Sequence, residues 1–323
     1  WLSADSIQQT DGSAIETWNS NANLGGSVSQ AVATSRPTLI KTIPELNNHA
    51  VVRFDGNDYL DGGTSLLNVG NKGQTFFIVA KNTSTTGSFF AKSLYGPASY
   101  RFFLIYEGGK LYVSYGITST LAYSAYGTSK LGKYDVLSGS IDVGNGGVSF
   151  FQEGSGVQNI ESKLVSNFTS NFNFLVGAYN NKYGTLPPVS GYYLNGDIAE
   201  MIFYDHALTK LERQSVENYL RSKYFPGTER PQFSLGNDTI VTNTLKPLTL
   251  AIPDSSYFTG AQIAWNTGES TKSIQVNQSG TYSVNVVDSW GYIYGDTIEV
   301  TYPNITQIQN QTICMGDTIT WDC

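Results

Sequence analysis

Short apolar segments separated by Gly, Asn, Asp and Ser recur along most of this chain. The run Thr75–Ala80 is continuously apolar, which is typical of a strand buried on both faces of a sandwich. The runs Tyr100–Tyr106 and Lys110–Tyr115 flank Glu107–Gly109, which has the composition of a hairpin turn. Short strands at this spacing, joined by Gly and Asn turns, predict an all-β sandwich.

One segment has the pattern of a convincing helix. It follows the short apolar run Ile198–Phe203 and begins at Thr209, with Glu212 three residues later, which is the spacing of a capping box. Phe225-Pro226-Gly227 ends the helix, because proline cannot continue it. The apolar positions that fall near one face of this helix are Leu211, Val216, Tyr219 and Leu220.

The same strand and helix carry a family resemblance. Gly196-Asp-Ile-Ala-Glu-Met-Ile-Phe-Tyr-Asp-His-Ala-Leu-Thr209, followed by Val216-Glu-Asn-Tyr-Leu220, resembles the end of laminin-G-like domains, which belong to the concanavalin A-like jelly-roll group. Trp1-Leu-Ser-Ala-Asp5, the segment from Asp11 to Trp18 and the segment Ala50–Leu60 resemble earlier parts of that family. The resemblance implies an all-β fold for residues 1–224: a jelly-roll β-sandwich with one C-terminal helix. We expect Trp18, Phe54 and Leu60 to be core residues.

A second, smaller β-sandwich is expected after a linker at residues 225–232, which contains Pro226, Gly227 and Pro231. Residues 233–302 show alternating strands, a Trp265 of the buried type and a late Gly280-Thr-Tyr282, and resemble Ig-like or PKD-like repeats of secreted Bacteroidetes proteins. Residues 303–323 echo the beginning of that repeat, so we expect a further copy that is cut off.

Composition excludes several classes of function. The formal net charge of −7 argues against nucleic acid as a partner, because phosphate binding needs a basic surface. No apolar run approaches the roughly 18 residues needed to cross a membrane. The two cysteines, Cys314 and Cys323, either pair with each other or pair beyond this sequence. Since the chain opens on what resembles a strand already under way, we expect a longer precursor.

The test for catalysis is negative at the level of sequence. Retaining β-glucanases of the jelly-roll group carry a pattern similar to Glu-x-Asp-x-x-Glu, with two carboxylates in the mechanism. Here Asn195 occupies the first position, before Asp197 and Glu200, and an amide cannot act as the nucleophile. No Gly-x-Ser-x-Gly motif supports a triad with either His49 or His206, and we expect both histidines at the surface. We therefore expect this chain not to be an enzyme.

Two kinds of binding site remain as hypotheses. Calcium prefers several oxygen ligands from one flexible loop, and Asp55, Asp58 and Asp61 cluster in one turn, although these carboxylates can equally bond to their own backbone. Sugar binding needs exposed aromatic rings with nearby amides or carboxylates, although tyrosines in such loops can instead be packing residues. The candidate ligand-binding residues are Tyr179, Asn180, Asn181 and Tyr183, in a loop that ends at Tyr192-Tyr193, together with Tyr95 and Tyr100.

The resemblances imply a secreted, multidomain protein of the cell surface. They suggest a large adhesin of surface-attached Bacteroidetes, exported by the type IX machinery of the outer membrane, in which the jelly roll recognises glycan or another surface ligand and the Ig-like repeats form a stalk. The alternative is a structural spacer, or an accessory module of a secreted polysaccharide-degrading enzyme. Fold alone does not separate these functions.

Overall fold

The computed structural model describes the chain apart from 23–25, 71, 94–100, 117–121, 129, 143–146, 153–154, 161–168, 181–185, 187, 227–232, 243–245, 254–257, 259, 289–292 and 304–323. The chain divides into two compact units, residues 1–231 with 288–293, and residues 232–287 with 294–323. Cys314, Cys323 and the expected last repeat lie outside the described residues.

The first unit is a jelly-roll β-sandwich. Its strands are Leu2–Ser3 (β1), Thr17–Asn19 (β2), Ser27–Ser29 (β3), Thr38–Ile43 (β4), His49–Asp55 (β5), Leu60–Asp61 (β6), Gln74–Asn82 (β7), Thr86–Ser93 (β8), Arg101–Glu107 (β9), Lys110–Gly116 (β10), Ala122–Thr128 (β11), Asp135–Ile141 (β12), Val148–Gln152 (β13), Ser155–Ile160 (β14), Leu175–Val176 (β15) and Asn195–Tyr204 (β16). Three short 3-10 helices span Ala4–Ser6, Ala33–Ser35 and Pro44–Leu46.

These strands form two antiparallel sheets. One sheet has the order β14-β13-β12-β7-β16-β5-β4, with β1 also paired to β16, and we call it the first sheet. The second sheet has the order β11-β10-β9-β8-β15-β6-β3-β2. The predicted turn at Gly108 and Gly109 is confirmed: both glycines have positive φ and join β9 to β10.

Strand β7 shows why its sequence is continuously apolar. Phe76 and Ile78 belong to the main core, which is built from residues of both sheets, whereas Phe77 and Val79 belong to a second cluster on the other face. That second cluster is covered by the helix Lys210–Tyr224 (α1), which contributes Leu220. The prediction of a strand buried on both faces is therefore confirmed, and the predicted core residues Trp18, Phe54 and Leu60 are also buried.

Helix α1 begins as predicted, but only Val216 and Leu220 of its four predicted apolar positions pack against the second cluster. Thr209 is the N-cap and forms the complete capping box with Glu212. Leu211 and Tyr219 are exposed, whereas the buried positions are mostly polar: Arg213, Gln214, Glu217, Leu220 and Tyr224. Arg213 and Glu217 are buried as an ion pair, and Glu217 also accepts a hydrogen bond from Ser138 of β12 at 2.6 Å, which allows a polar face to pack against the sheet.

The two histidines differ in their surroundings. His49 begins β5, where it pairs with Ile43 of β4. Its ring lies 2.9 Å from an Asp5 carboxylate oxygen and is partly exposed. His206 is about half exposed, as expected for a surface residue.

The second unit is also built from short strands. They are Thr239–Ile240 (β17), Leu248–Ala251 (β18), Gln262–Trp265 (β19), Ser273–Val276 (β20), Gly280–Val287 (β21) and Ile293–Thr301 (β22). One sheet has the order β17-β22-β21-β19, and β18 pairs with β20. Trp265 is buried, as its pattern predicted, and its Nε1 donates to the Thr271 carbonyl at 2.9 Å. The assignment of this unit to the Ig-like class stays a prediction.

No helix in the described part of the chain combines the length and the apolar character that crossing a bilayer requires.

Candidate functional site

Tyr179 and Asn180, predicted as ligand-binding residues, are buried, and both contact Ser93 at the end of β8. Asn180 accepts from the Ser93 backbone N–H at 3.0 Å and donates to the Asn173 carbonyl at 2.8 Å, while the Tyr179 hydroxyl lies 3.1 Å from Ser93 Oγ. Tyr179 is 6% exposed and Asn180 is 0% exposed, so neither side chain presents a surface on which a sugar could stack. Asn181, Tyr183, Tyr95 and Tyr100 lie outside the described residues.

Tyr192, at the end of the same loop, belongs to an aromatic cluster on the second sheet. Its ring lies 5.7 Å from the ring of Tyr179, which in turn packs edge-on against Phe103 of β9 at 5.1 Å. The Tyr192 hydroxyl donates to Glu107 at 2.6 Å, and Tyr112 packs against the cluster as a partly buried residue. The sequence thus identified an aromatic region, but the residues it named first are the buried members of that region.

The three aspartates proposed for calcium are engaged in local hydrogen bonds. Asp58 accepts from the Asp55 backbone N–H at 3.1 Å, and Asp55 accepts from the Asn57 backbone N–H at 3.1 Å. Asp61 accepts from the Gly63 backbone N–H and from the Asn173 amide. In the described part of the chain, no three His, Cys, Asp or Glu side chains form a group that could hold a metal ion. Calcium binding at this turn stays a prediction.

Asp58 has an unusual environment for a carboxylate. It is 4% exposed, and burial raises its pKa to about 6, to which the neighbouring Asp55 carboxylate contributes. The backbone hydrogen bond from Asp55 opposes this rise but does not cancel it. Asp58 is therefore a buried acid whose pKa lies well above the usual range of an aspartate.

The carboxylate of Asp197 on β16 is held in a cationic environment. Arg53 donates to its two oxygens at 2.7 and 3.0 Å, Lys81 lies 3.2 Å away, and the Tyr134 hydroxyl also donates to it. Burial alone would raise the pKa of Asp197, but the hydrogen bonds from Arg53 and Tyr134 outweigh burial and leave the pKa lowered. Asp197 is thus an ionised structural partner of two basic residues.

Glu200, on the same strand, anchors four other side chains. The side chains that donate to it are Trp1 at 2.6 Å, Tyr219 at 3.1 Å, Lys223 at 2.6 Å and Tyr224 at 2.5 Å. Glu200 is 0% exposed, so these bonds replace the water that an ionised carboxylate would otherwise need. The result is a fixed connection between β16, helix α1 and Trp1.

A pocket of about 300 Å³ opens next to Trp1, and both sheets contribute to it. The first sheet supplies Leu2, Phe203 and Tyr204, and the second sheet supplies Ser27 and Val28. The remaining lining residues come from connecting segments: Trp1, Ser20, Ala22, Gly26, Ser65, Leu66, Leu67, Asn68, Val69, Phe174 and Asp205. An apolar cavity of this size with a few polar groups is the usual form of a small-ligand site.

Trp1 is a partly exposed residue whose ring is fixed. The residue is 41% exposed, its Nε1 donates to buried Glu200, and its ring packs at 87° to that of Tyr219, with a centroid separation of 6.1 Å. A ring held in this way loses little conformational freedom when a ligand stacks on it. In the sequence Trp1 stands out only through the family resemblance, and nothing in the local pattern indicates that it lines a pocket.

Polar side chains also line the pocket beside its apolar and aromatic residues. The hydroxyls of Ser27 and Ser65 and the carboxylate of Asp205 can exchange hydrogen bonds with a polar ligand. Hydrogen bonds from His206 and Lys72 lower the pKa of Asp205, so that it is ionised at neutral pH. Leu67, at the apolar side, has a φ of 60°, which is uncommon for a residue other than glycine.

The comparisons with known proteins give structural likenesses only. No family model matches the chain, and no curated protein matches it. The similar solved structures include a Ruminococcus gnavus IT-sialidase CBM40 bound to α2,3-sialyllactose, at 16% identity and a TM-score of 0.40, covering 52% of this chain and 96% of that one. Domain 4 of a Geobacillus stearothermophilus extracellular arabinanase, in complex with arabinotriose, has 19% identity and a TM-score of 0.41, with 57% and 80% covered. Trypanosoma rangeli sialidase has 13% identity and a TM-score of 0.47, with 71% and 33% covered.

Proposed function

We propose that residues 1–224 form a non-catalytic recognition module that binds a glycan in the pocket beside Trp1. The observation that carries this proposal is the ring of the partly exposed Trp1, fixed by Glu200 beside a pocket of about 300 Å³ that Trp1 lines. A sugar ring presents C–H groups on its faces and hydroxyls at its edge. An aromatic wall with hydroxyl and carboxylate groups beside it complements both parts of such a ligand.

The carboxylates of β16 support a binding role over a catalytic one. Asp197 is paired with Arg53 and Lys81, and Glu200 is buried among its four donors. A general acid needs a carboxyl whose pKa is raised towards neutral pH, whereas that of Asp197 is lowered. Both residues therefore serve as structural anchors in this proposal, and Glu200 contributes to recognition by orienting Trp1.

The wider setting extends this proposal. The module would be displayed on the outside of a cell as part of a secreted adhesin exported through outer-membrane machinery, with the second unit as an Ig-like stalk. Calcium at Asp55, Asp58 and Asp61 would be a structural ion of the module and not a ligand of the pocket, because none of these residues lines the pocket.

A glycan array probed with the full chain tests the proposal, in calcium and in chelator. We expect saturable binding to a restricted set of glycans, and Trp1→Ala should weaken it at least tenfold, since losing a stacked face costs roughly 1.4 kcal/mol or more. Leu211→Ala is the matched control, because Leu211 is 63% exposed but does not line the pocket. Unchanged affinity in Trp1→Ala, or no binding to any glycan, would overturn the proposal.

A further inference from the structure

One wall of the Trp1 pocket is formed by residues 65–69, which belong to the segment 64–69 between β6 and β7. Leu66 and Leu67 supply apolar side chains to this wall. The Leu66 side chain fits against two glycines: a Cβ atom on Gly62 would come within 2.6 Å of Leu66 Cδ1, and one on Gly26 within 3.1 Å of Leu66 Cδ2. The position of Leu66 is therefore closely defined, although the segment has no strand or helix of its own.

The segment is held from inside the sandwich by a lysine. Lys92 of β8 is 0% exposed, and its Nζ donates to the carbonyl oxygens of Thr64 and Leu66, each at 2.7 Å. Lysine is among the residues least often fully buried, because removing an ammonium group from water is costly. An apolar residue would fill the same space without that cost, so the lysine needs an explanation other than packing.

A second buried donor acts on the same segment. The Gln74 side chain of β7, which is 1% exposed, donates to the Leu67 carbonyl at 3.0 Å. Leu67 itself has a φ of 60°, a backbone conformation that is strained for a residue with a side chain. Contacts from the neighbouring strands must hold such a residue in place.

We propose that Lys92 is the positioning residue of the Trp1 pocket: its buried ammonium group fixes the carbonyls of Thr64 and Leu66 and so holds Leu66 and Leu67 as the apolar wall. This inference rests on the proposed function for the identity of the ligand, but the positioning itself is a property of the free protein. Burial lowers the pKa of Lys92 to about 8, so the group still carries its charge at pH 7.

Amide hydrogen exchange in the full chain at pH 7 tests the positioning without any ligand. In Lys92→Ala we expect amides of residues 64–69 to exchange at least tenfold faster, while β9 and β10 keep their protection. Leu104→Ala is the control, because Leu104 is also 0% exposed and its loss weakens the core without removing the ammonium group. Equal acceleration of residues 64–69 in both variants would contradict the proposal, since general destabilisation would then explain it.

Chemical rescue separates the ammonium group from simple filling of space. Methylammonium chloride should restore the protection of residues 64–69 in Lys92→Ala, whereas sodium chloride at the same ionic strength should not. Failure of methylammonium to restore it would overturn the proposal. If Lys92→Ala does not fold, Lys92→Gln keeps a donor at this position, and its residues 64–69 should exchange at an intermediate rate; wild-type exchange in that variant would count against the proposal.

The glycan found on the array provides the functional measurement. Lys92→Ala should weaken binding at least tenfold, and methylammonium should recover most of the loss. If the wild-type chain binds no glycan, the proposed function fails, but the exchange experiment still decides whether Lys92 positions the wall. If glycan binding is normal in Lys92→Ala while exchange of residues 64–69 is accelerated, the positioning role in recognition is wrong.

Discussion

At the scale of single residues, Asp58 gives a direct test of electrostatics in the predicted calcium turn. Its pKa of about 6 lies above the value near 3.9 expected in an unfolded chain, so keeping it ionised at pH 7 destabilises the fold. Asp58→Asn keeps an oxygen that can accept from the Asp55 N–H but removes the charge. We expect it to raise the free energy of unfolding at pH 7 by on the order of 1 kcal/mol.

The gain should shrink as the pH falls through about 6 and disappear below about pH 4, where the folded and the unfolded wild-type chain both hold a proton on Asp58. Urea unfolding at several pH values measures the free energy of unfolding of the first unit when peroxide oxidation of Met201 is the readout. Met201 is buried in that unit and becomes accessible to peroxide only when the unit unfolds. Asp11→Asn is a matched control, because Asp11 also accepts a backbone hydrogen bond, from Lys41, but is exposed. If calcium stabilises the wild type but not Asp58→Asn, the calcium prediction is supported. If Asp58→Asn is less stable than wild type at pH 7 without calcium, the predicted gain in stability is wrong.

Residue types were easier to predict than the direction in which each side chain points. Tyr179 and Asn180 have the composition of a sugar-binding loop, yet they are buried because Ser93 and Phe103, about 80 residues earlier, lie beside them. Such long-range neighbours leave no mark on the local pattern. Trp1 was missed for the same reason: its exposure and its anchor, Glu200, are fixed only when β1 pairs with β16.

At the scale of elements, helix α1 offers a test of its capping box. Thr209 accepts from the Glu212 backbone N–H and its own N–H donates to the Glu212 carboxylate, so the first turn has reciprocal partners. Thr209→Ala should lower the free energy of unfolding by about 1 kcal/mol, because one N–H of the helix loses its acceptor. Thr209→Ser keeps the hydroxyl and should stay within a few tenths of a kcal/mol of wild type. The same Met201 oxidation assay compares them, and equal stability of the Ala and Ser variants would show that the cap contributes nothing.

Elements defined by local rules were predicted well, and the arrangement between them was not. The cap at Thr209, the β9–β10 turn and the double-sided strand β7 follow from neighbouring residues. The buried face of α1 does not, since Arg213 and Glu217 are buried through their own ion pair and through Ser138. Apolar periodicity assumes that charged residues face water, and a charge neutralised by a partner on the same helix violates that assumption.

At the scale of the whole molecule, the pH dependence of the stability of the first unit follows from carboxylates whose pKa values are shifted in opposite directions. The pKa values of Asp5 and Asp197 are lowered in the fold: burial opposes ionisation, but bonds from the Ala50 N–H and Lys223 to Asp5, and from Arg53 and Tyr134 to Asp197, outweigh it. A lowered pKa means that the unfolded chain binds protons first, so this stability is present above about pH 4 and is lost as the pH falls further.

Asp58 has the opposite sign, because its raised pKa makes the folded chain bind a proton first as the pH falls through about 6. The two effects together predict that the first unit is more stable near pH 5 than at pH 7, and that it loses stability steeply below about pH 4.

Arg53→Met should be less stable than wild type at pH 7, since Asp197 loses its bidentate partner. Its free energy of unfolding should also fall less steeply with pH below about pH 4. Met201 oxidation in urea between pH 2 and 8 measures the free energy of unfolding of the wild type and of Arg53→Met. If the two fall equally steeply below pH 4, the Arg53–Asp197 pair does not control stability in acid. A maximum that persists near pH 5 in Arg53→Met but is absent in Asp58→Asn would assign the two sides of the profile to these two carboxylates separately.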